Sequence, residues 1–296
     1  MTTYETFSAA VRGGALAGGV WNARSNDATT VLAVHGITAS HLAWPAVAAR
    51  LGGIRMIAPD LRGRGRSNRL PEPWGIRDHA DDLARVLDHF EIERAVVLGH
   101  SMGGFVAVRL ADQYPERVSA VVLIDGGLPL PILEASPVED LPARLLGPAG
   151  ERLKQTYASR SEYQRLWRGH PAFAGDWSEA VEAYADYDLE EVGVFMYRPA
   201  SRYAAVAANI VQMSGDDGYR DALAGIRVPL SFLRAPRGLL DEVPPLYPHA
   251  LVASAQLVAP QLQVSEAPDV NHYTIVMSDR GADWVAAHTL AFASAS

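Results

Sequence analysis

The chain has 296 residues, 49% hydrophobic and 20% charged, with a net charge of −8 and no cysteine. That balance suits a globular protein built as one large domain or as a core with an insertion, and it argues against nucleic acid or an anionic membrane surface as partner. Without cysteine there can be no disulfide, thiolate metal ligand or cysteine nucleophile. Met1–Ala10 has neither a basic n-region nor an apolar h-region. No stretch reads as a membrane span, so a cytoplasmic protein is expected.

In chain order, Tyr4–Val11 and Ala15–Trp21, joined by Arg12-Gly13-Gly14, read as a hairpin. Thr29–Val34 is a β-branched and apolar run, hence a buried strand, and it ends in His35-Gly36-Ile37-Thr38. A helix is predicted over His41–Leu51 and a strand over Ile54–Ala58. The next loop, Asp60-Leu61-Arg62-Gly63-Arg64-Gly65-Arg66-Ser67, is rich in Gly and Arg but lacks the spacing of a phosphate-binding or dinucleotide loop. Asp78–Phe90 places Ala80, Leu83, Val86, Leu87 and Phe90 on one helical face.

Ala95–Leu98 is the next buried strand, and Phe105–Gln113 is compatible with a helix. Between them stands Gly99-His100-Ser101-Met102-Gly103, a Gly-x-Ser-x-Gly strand-to-helix turn. Such a turn holds its serine in a strained backbone conformation at the carboxyl edge of the sheet. A side chain at Gly99 or Gly103 is predicted to collide with the neighbouring strand or helix. Val118–Asp125 is a further buried strand. Strands alternating with helices predict a mostly parallel sheet covered on both faces.

From Gly126 to about Gly225 no buried-strand run occurs, while aromatics are frequent, Trp167, Trp177 and Tyr187 among them. This part reads as a helical cap over the carboxyl edge of the sheet. The alternation resumes with a strand at Val228–Arg234, a helical stretch around Leu246–Ala259 and a short strand at Leu262–Glu266. The loop Asp269-Val270-Asn271-His272 leads to a final helix over about Asp279–Ala293.

These pieces resemble the α/β-hydrolase family over nearly the whole chain. They are His35-Gly36, Asp60-x-x-Gly63-x-Gly65-x-Ser67, Gly99-His100-Ser101-Met102-Gly103-Gly104 and Asn271-His272, in the family's order. The resemblance implies a doubly wound, mostly parallel α/β sheet of eight strands with a helical cap inserted after the sixth. The domains would be a core over 1–127, a cap over 128–225 and the rest of the core over 226–296. The Gly-His-Ser-Met-Gly-Gly form is similar to that of serine esterases, lactonases, cofactor-free haloperoxidases and carbon–carbon bond hydrolases. A serine at 101 argues against relatives with an aspartate nucleophile.

On this reading Ser101 is the nucleophile, and it needs a base to take its proton. Of nine histidines, His272 is best placed, in the loop before the final helix. His35 is read as a structural residue of the oxyanion loop that also borders the substrate, and His100 as packing beside the turn. The oxyanion hole is expected from the backbone N–H groups of Met102 and Ile37. The acid is open between two residues. Asp125 stands at a strand end, where a buried carboxylate needs a partner. Asp241 comes after the strand beyond the cap, three residues past the position where the family's acid is expected. Strand-end geometry favours Asp125, with Asp241 the alternative.

No metal or organic cofactor is needed for such chemistry. The expected partner is a medium-sized apolar or aromatic ester or lactone, bordered by His35, Trp167, Trp177 and Tyr187. Competing functions are hydrolysis of a carbon–carbon bond with the same triad, and a slow-turnover ligand-binding receptor. Homodimers are common among such enzymes, so a homodimer is the one assembly the resemblance suggests.

Overall fold

A computed structural model describes residues 2–25, 29–130, 145–215 and 217–293. Its strands, in chain order, are β1 (Tyr4–Val11), β2 (Gly14–Trp21), β3 (Thr30–Val34), β4 (Arg55–Pro59), β5 (Ala95–His100), β6 (Val118–Ile124), β7 (Leu189–Gly193), β8 (Met196–Pro199), β9 (Leu230–Arg234) and β10 (Gln263–Glu266). The helices that matter here are α1 (Pro45–Ala48), α2 (Ile76–His89), α3 (Met102–Gln113), α4 (Pro148–Arg152), α5 (Arg160–Arg168), α6 (Glu179–Tyr187), α7 (Tyr203–Ile210) and α8 (Tyr219–Gly225). After β9 come α9 (His249–Val258), α10 (Thr274–Met277) and α11 (Asp279–Ala293).

Eight strands form one sheet in the order β1-β2-β4-β3-β5-β6-β9-β10. The pairs β1–β2 and β2–β4 are antiparallel and the remaining pairs parallel. Every residue of β3, β5 and β9 is buried, as strands packed on both faces require, and this is why they read as largely apolar runs. One apolar cluster gathers Leu32, Val97, Val121 and Phe232 with α2 and α3, and a second gathers Val31, Leu98, Val122 and Leu233 with α11. The alternate residues of each strand thus feed opposite layers.

The register brings several strand ends level with one another. Val34 pairs with Gly99, Gly99 with Leu123, and Ile124 with Leu233. His35, Ser101, Asp125 and Ala235 therefore emerge at one edge. The chain leaves β3 for β4 on one side and returns to β5 on the other. The crevice at such a reversal is where open α/β sheets place their ligands.

The helix predicted over His41–Leu51 is instead a 3-10 turn at His41–Ala43 followed by α1, with Pro45 at its first position. Proline has no N–H to continue the first turn but fits the start of a second. Between β6 and β9 lie α4 to α8 and, beyond the helical expectation, the small antiparallel hairpin β7–β8. Residues 131–144 of the anticipated cap lie outside the described residues. Tyr163, Trp167, Phe173 and Tyr184 pack together in this segment and meet Tyr273 of the core, with Phe173 and Tyr273 ring centroids 5.5 Å apart. Hydrogen bonds add to this docking: Arg202 N–H donates to Gly63 O at 2.8 Å, and Tyr187 Oη to Asp60 Oδ2 at 2.6 Å. No helix among the described residues is long and apolar enough to cross a membrane.

Three of the buried imidazoles in this framework, His35, His79 and His100, have lowered pKa values. His35 Nδ1–H donates to Gly36 O and its Nε2 accepts from Leu61 N–H, so both nitrogens are used by the neutral ring. Burial is the main reason its pKa falls to about 4. Burial likewise holds His79 and His100 well below the ordinary value. The unfolded chain takes up these protons below about pH 6.5 while the native chain does not, so stability is complete above that pH and declines as pH falls. Each such group tilts the balance by about 1.4 kcal/mol per pH unit. Thermal melts are expected to move steadily to lower temperature from about pH 6.5 to about pH 5. An unchanged midpoint over that interval would contradict the assignment of neutral native imidazoles.

Candidate active site

Ser101 adopts φ 55° and ψ −124° between β5 and α3. This is a sparsely populated conformation for a residue with a side chain, held by its surroundings. The flanking glycines explain how the turn closes. A Cβ on Gly99 would lie 2.4 Å from Gly103 O in the helix, and one on Gly103 would lie 2.1 Å from Val34 O in β3. Both positions exclude any side chain because the obstacles are backbone atoms. The collisions anticipated from the sequence are those of the structure.

Ser101 and His272 line one cavity of about 670 Å³, part of it open to solvent. No hydrogen bond joins the Ser101 hydroxyl to His272 in this structure, and such contacts commonly tighten only with substrate. His272 Nδ1 lies 2.7 Å from Asp125 Oδ2. Asp125 is fully buried, and its Oδ1 accepts from Ala235 N–H at 3.1 Å. Its backbone N–H reaches Leu233 O at 2.8 Å, and its φ is 42°. The carboxylate thus sits at the end of β6 with both oxygens engaged. Asp241 is turned elsewhere: its Oδ1 accepts from Arg237 Nε at 2.6 Å and from Asn271 Nδ2 at 2.9 Å. The structure pairs His272 with Asp125 and leaves Asp241 as a brace of the neighbouring loop.

The His272 loop is fixed from two sides. Asn271 Oδ1 accepts from the N–H groups of Tyr273 and Thr274 at 3.0 and 2.9 Å. His100 Nε2–H donates to His272 O at 2.7 Å. His100 therefore does more than pack beside the turn. It ties the residue before the nucleophile to the backbone of the histidine loop.

Ile37 and Met102 both border the cavity beside Ser101. Among the described residues neither N–H has a protein acceptor. For Met102 this comes from its place in the first turn of α3, where N–H groups have no intrahelical partner. A negative oxygen in the cavity would find these donors and the positive end of α3. Behind them stands Arg64, fully buried, whose Nε donates to Ile37 O at 2.9 Å. The motif Asp60–Ser67 contains this arginine, but nothing in its pattern says where the side chain goes.

Four residues expected to border the substrate do not line this cavity. His35 is enclosed under the loop it supports. Trp167, 1% exposed, is the centre of the cap's aromatic cluster. Trp177 lies beneath the Arg168 guanidinium, 4.6 Å from its ring centroid, at a separate surface cleft. Tyr187 is spent on Asp60, with Arg66 4.3 Å over its ring. The wall is formed instead by Phe105, Leu130, Met213, Leu246 and Val276, with Tyr184, Tyr247 and Tyr273 supplying aromatic surface. Among the described residues that line it there is no Lys, Arg, Asp or Glu. Among the described residues there is no group of three or more His, Asp or Glu that could hold a metal ion.

Comparison with known proteins agrees with this fold. The family described as "alpha/beta hydrolase fold" matches residues 29–167. Lipase LipV of Mycobacterium tuberculosis is 42% identical over 100 residues, covering 34% of this chain and 38% of the lipase. The first curated relatives are thus matched over well under half of their length, one of them over 29%. A 2-(acetamidomethylene)succinate hydrolase of Mesorhizobium japonicum is 27% identical over 82% of this chain and 81% of its own. Among solved structures, an E-2-(acetamidomethylene)succinate hydrolase superposes with a TM-score of 0.79 over 98% of this chain and 100% of that one, at 22% identity. Residues 29–167 match this family, and the chain has the α/β-hydrolase fold.

Two outcomes are expected from this geometry. Gly103→Ala should destabilise the protein by about 3 kcal/mol or more, read from denaturant melts; a wild-type midpoint would show that the turn is looser than described. Asp125→Asn is expected to lower kcat by about 1,000-fold or more, while Asp241→Asn leaves it within about 3-fold. The reverse ranking in steady-state kinetics would make Asp241 the partner of the histidine.

Proposed function

We propose that the protein is a serine hydrolase that cleaves an ester or lactone bond in a medium-sized, uncharged, apolar or aromatic molecule. One observation carries this reading: a serine in a strained turn shares a cavity with an imidazole whose other nitrogen is held by a buried carboxylate. In the reaction, Ser101 Oγ attacks the carbonyl carbon as its proton passes to His272 Nε2. The carbonyl electron pair moves onto oxygen, which the N–H groups of Met102 and Ile37 receive. The tetrahedral adduct collapses to an acyl-enzyme as His272 returns the proton to the leaving alcohol. Water, deprotonated by His272, then attacks the acyl carbon, and His272 returns that proton to Ser101 Oγ as the adduct collapses and the acid leaves. Asp125 keeps the imidazole in the tautomer with Nδ1–H and stabilises its charged form.

The choice of substrate rests on the wall. Its described residues are mostly apolar, with no Lys, Arg, Asp or Glu among them to meet a charged acyl group, whose desolvation they would leave uncompensated. The names of the lipase and of the succinate-derivative hydrolase support hydrolysis as the reaction class but differ in what they act on. The neutral wall favours the ester side of that difference.

The test is turnover of a ladder of neutral p-nitrophenyl esters, together with matched esters that carry a carboxylate on the acyl group. Neutral acyl groups are expected to be cleaved with kcat/KM at least about 10-fold above their carboxylated counterparts. Ser101→Ala is expected to lose about 1,000-fold or more. Preference for the charged acyl groups would overturn the substrate class. Turnover unaffected by Ser101→Ala would overturn the mechanism.

A further inference from the structure

The two arginines of the Gly/Arg loop are both buried but are treated differently by their surroundings. Arg62 forks onto the Asp82 carboxylate, with Nε to Oδ2 and Nη2 to Oδ1 both 2.8 Å. Arg64 has no carboxylate among the described residues. Its acceptors are three backbone carbonyls, Ile37 O at 2.9 Å from Nε, Arg62 O at 3.0 Å from Nη1 and Ala205 O at 3.3 Å from Nη2. Met102 Sδ lies 3.8 Å from Nη2. The guanidinium is thus an uncompensated positive charge in the interior, a costly arrangement that packing alone does not require.

Its location gives the charge a use. Of the two residues that border the cavity beside Ser101 and whose N–H groups have no acceptor among the described residues, Ile37 is gripped through its carbonyl and Met102 is touched through its sulfur. The imidazoles closest in charge coupling, His35 and His79, stay neutral, with burial the first cause and Arg64 a further one. Burial pulls Arg64 itself down to about 9, so it remains a cation at neutral pH. Among the described residues no carboxylate pairs with it, and the buried Asp60 carboxylate, which couples to the same His35, is engaged by His41, Arg66 N–H and Tyr187.

We infer that Arg64 is a positioning residue of the oxyanion hole, and that its unpaired charge is balanced only when the substrate carbonyl oxygen becomes negative during acyl transfer. The inference rests on the acyl-enzyme reading above. A charge left unpaired in the resting protein and paired in the transition state stabilises the latter selectively. The hydrogen bond to Ile37 O holds the donor loop at the same time. The loop's arginine thereby acts on the reaction without touching substrate.

The experiment compares wild type with Arg64→Met, Arg64→Gln and Arg64→Lys. For each, kcat and KM are measured with p-nitrophenyl butyrate. Inhibition is measured with phenylboronic acid, which forms a negatively charged tetrahedral adduct on an active serine, and with neutral, unreactive butyranilide. Arg64→Met is expected to lose about 10- to 100-fold in kcat with KM changed by less than about 3-fold. Its phenylboronic acid inhibition constant is expected to rise by a similar factor while that of butyranilide stays within about 3-fold. Arg64→Lys, which keeps the charge without the fork, is expected to recover part of the loss.

Arg64→Gln decides the matter if the Met variant does not fold, since it retains a donor for Ile37 O and lacks the charge. Unchanged kcat in a folded, neutral variant would overturn the inference while leaving the hydrolase reading in place. Equal weakening of both inhibitors would overturn it too, because a collapsed cavity does not discriminate charge. A wild-type protein that neither cleaves the ester nor binds the boronic acid would remove the acyl-enzyme reading and this inference with it.

Discussion

Close approach of backbone to backbone at the turn after β5 is the constraint on which the site depends. Val34 O sits where a Cβ on Gly103 would be, and Gly103 O sits where a Cβ on Gly99 would be. With those contacts made, α3 begins directly under the sheet edge and Ser101 has no conformation but a strained one. Ser101 N–H donates to Ile124 O at 3.0 Å, which sets the serine against the end of β6. The next residue along β6 is Asp125, so the same register that places the nucleophile places the carboxylate that holds His272. One packing decision fixes three functional positions.

The charges of the site are kept out of its cavity. Asp125 and Arg64 are both fully buried, one behind the histidine and the other behind the oxyanion loop. Among the described residues, what the cavity meets is backbone, imidazole, hydroxyl and hydrocarbon. Electrostatic influence then acts through short, dry distances where water does not screen it. The wall itself remains suited to a neutral ligand. The segment between β6 and β9 contributes by position more than by chemistry. Its aromatic cluster docks on Tyr273, the neighbour of His272, and its Tyr187 reaches the Asp60 carboxylate that also receives His41 Nδ1 at 2.8 Å.

Strands buried on both faces announce themselves as apolar runs, so β3, β5, β6 and β9 were legible, and the glycine spacing revealed the turn between β5 and α3. Position along those strands was enough to favour Asp125 over Asp241, because a carboxylate at the end of a buried strand must find a partner. The lining aromatics were not legible. Trp167 and Trp177 carry the same composition signal as Tyr184, but whether an aromatic faces a cavity or its own cluster is decided by tertiary packing. His41–Leu51 was misread as one helix because its apolar spacing is helical and the break depends on Pro45. Arg64 was visible as part of a basic loop, yet a solvated arginine and a buried one look alike in sequence.

Everything proposed for the cavity depends on Ser101 being an activated nucleophile. Intact-mass spectrometry after incubation with a fluorophosphonate tests this without any assumption about substrate. One covalent adduct is expected on the wild-type protein and none on Ser101→Ala. An adduct that persists in Ser101→Ala, or no adduct on a folded wild-type protein whose cavity admits neutral ligands of the same size, would contradict it.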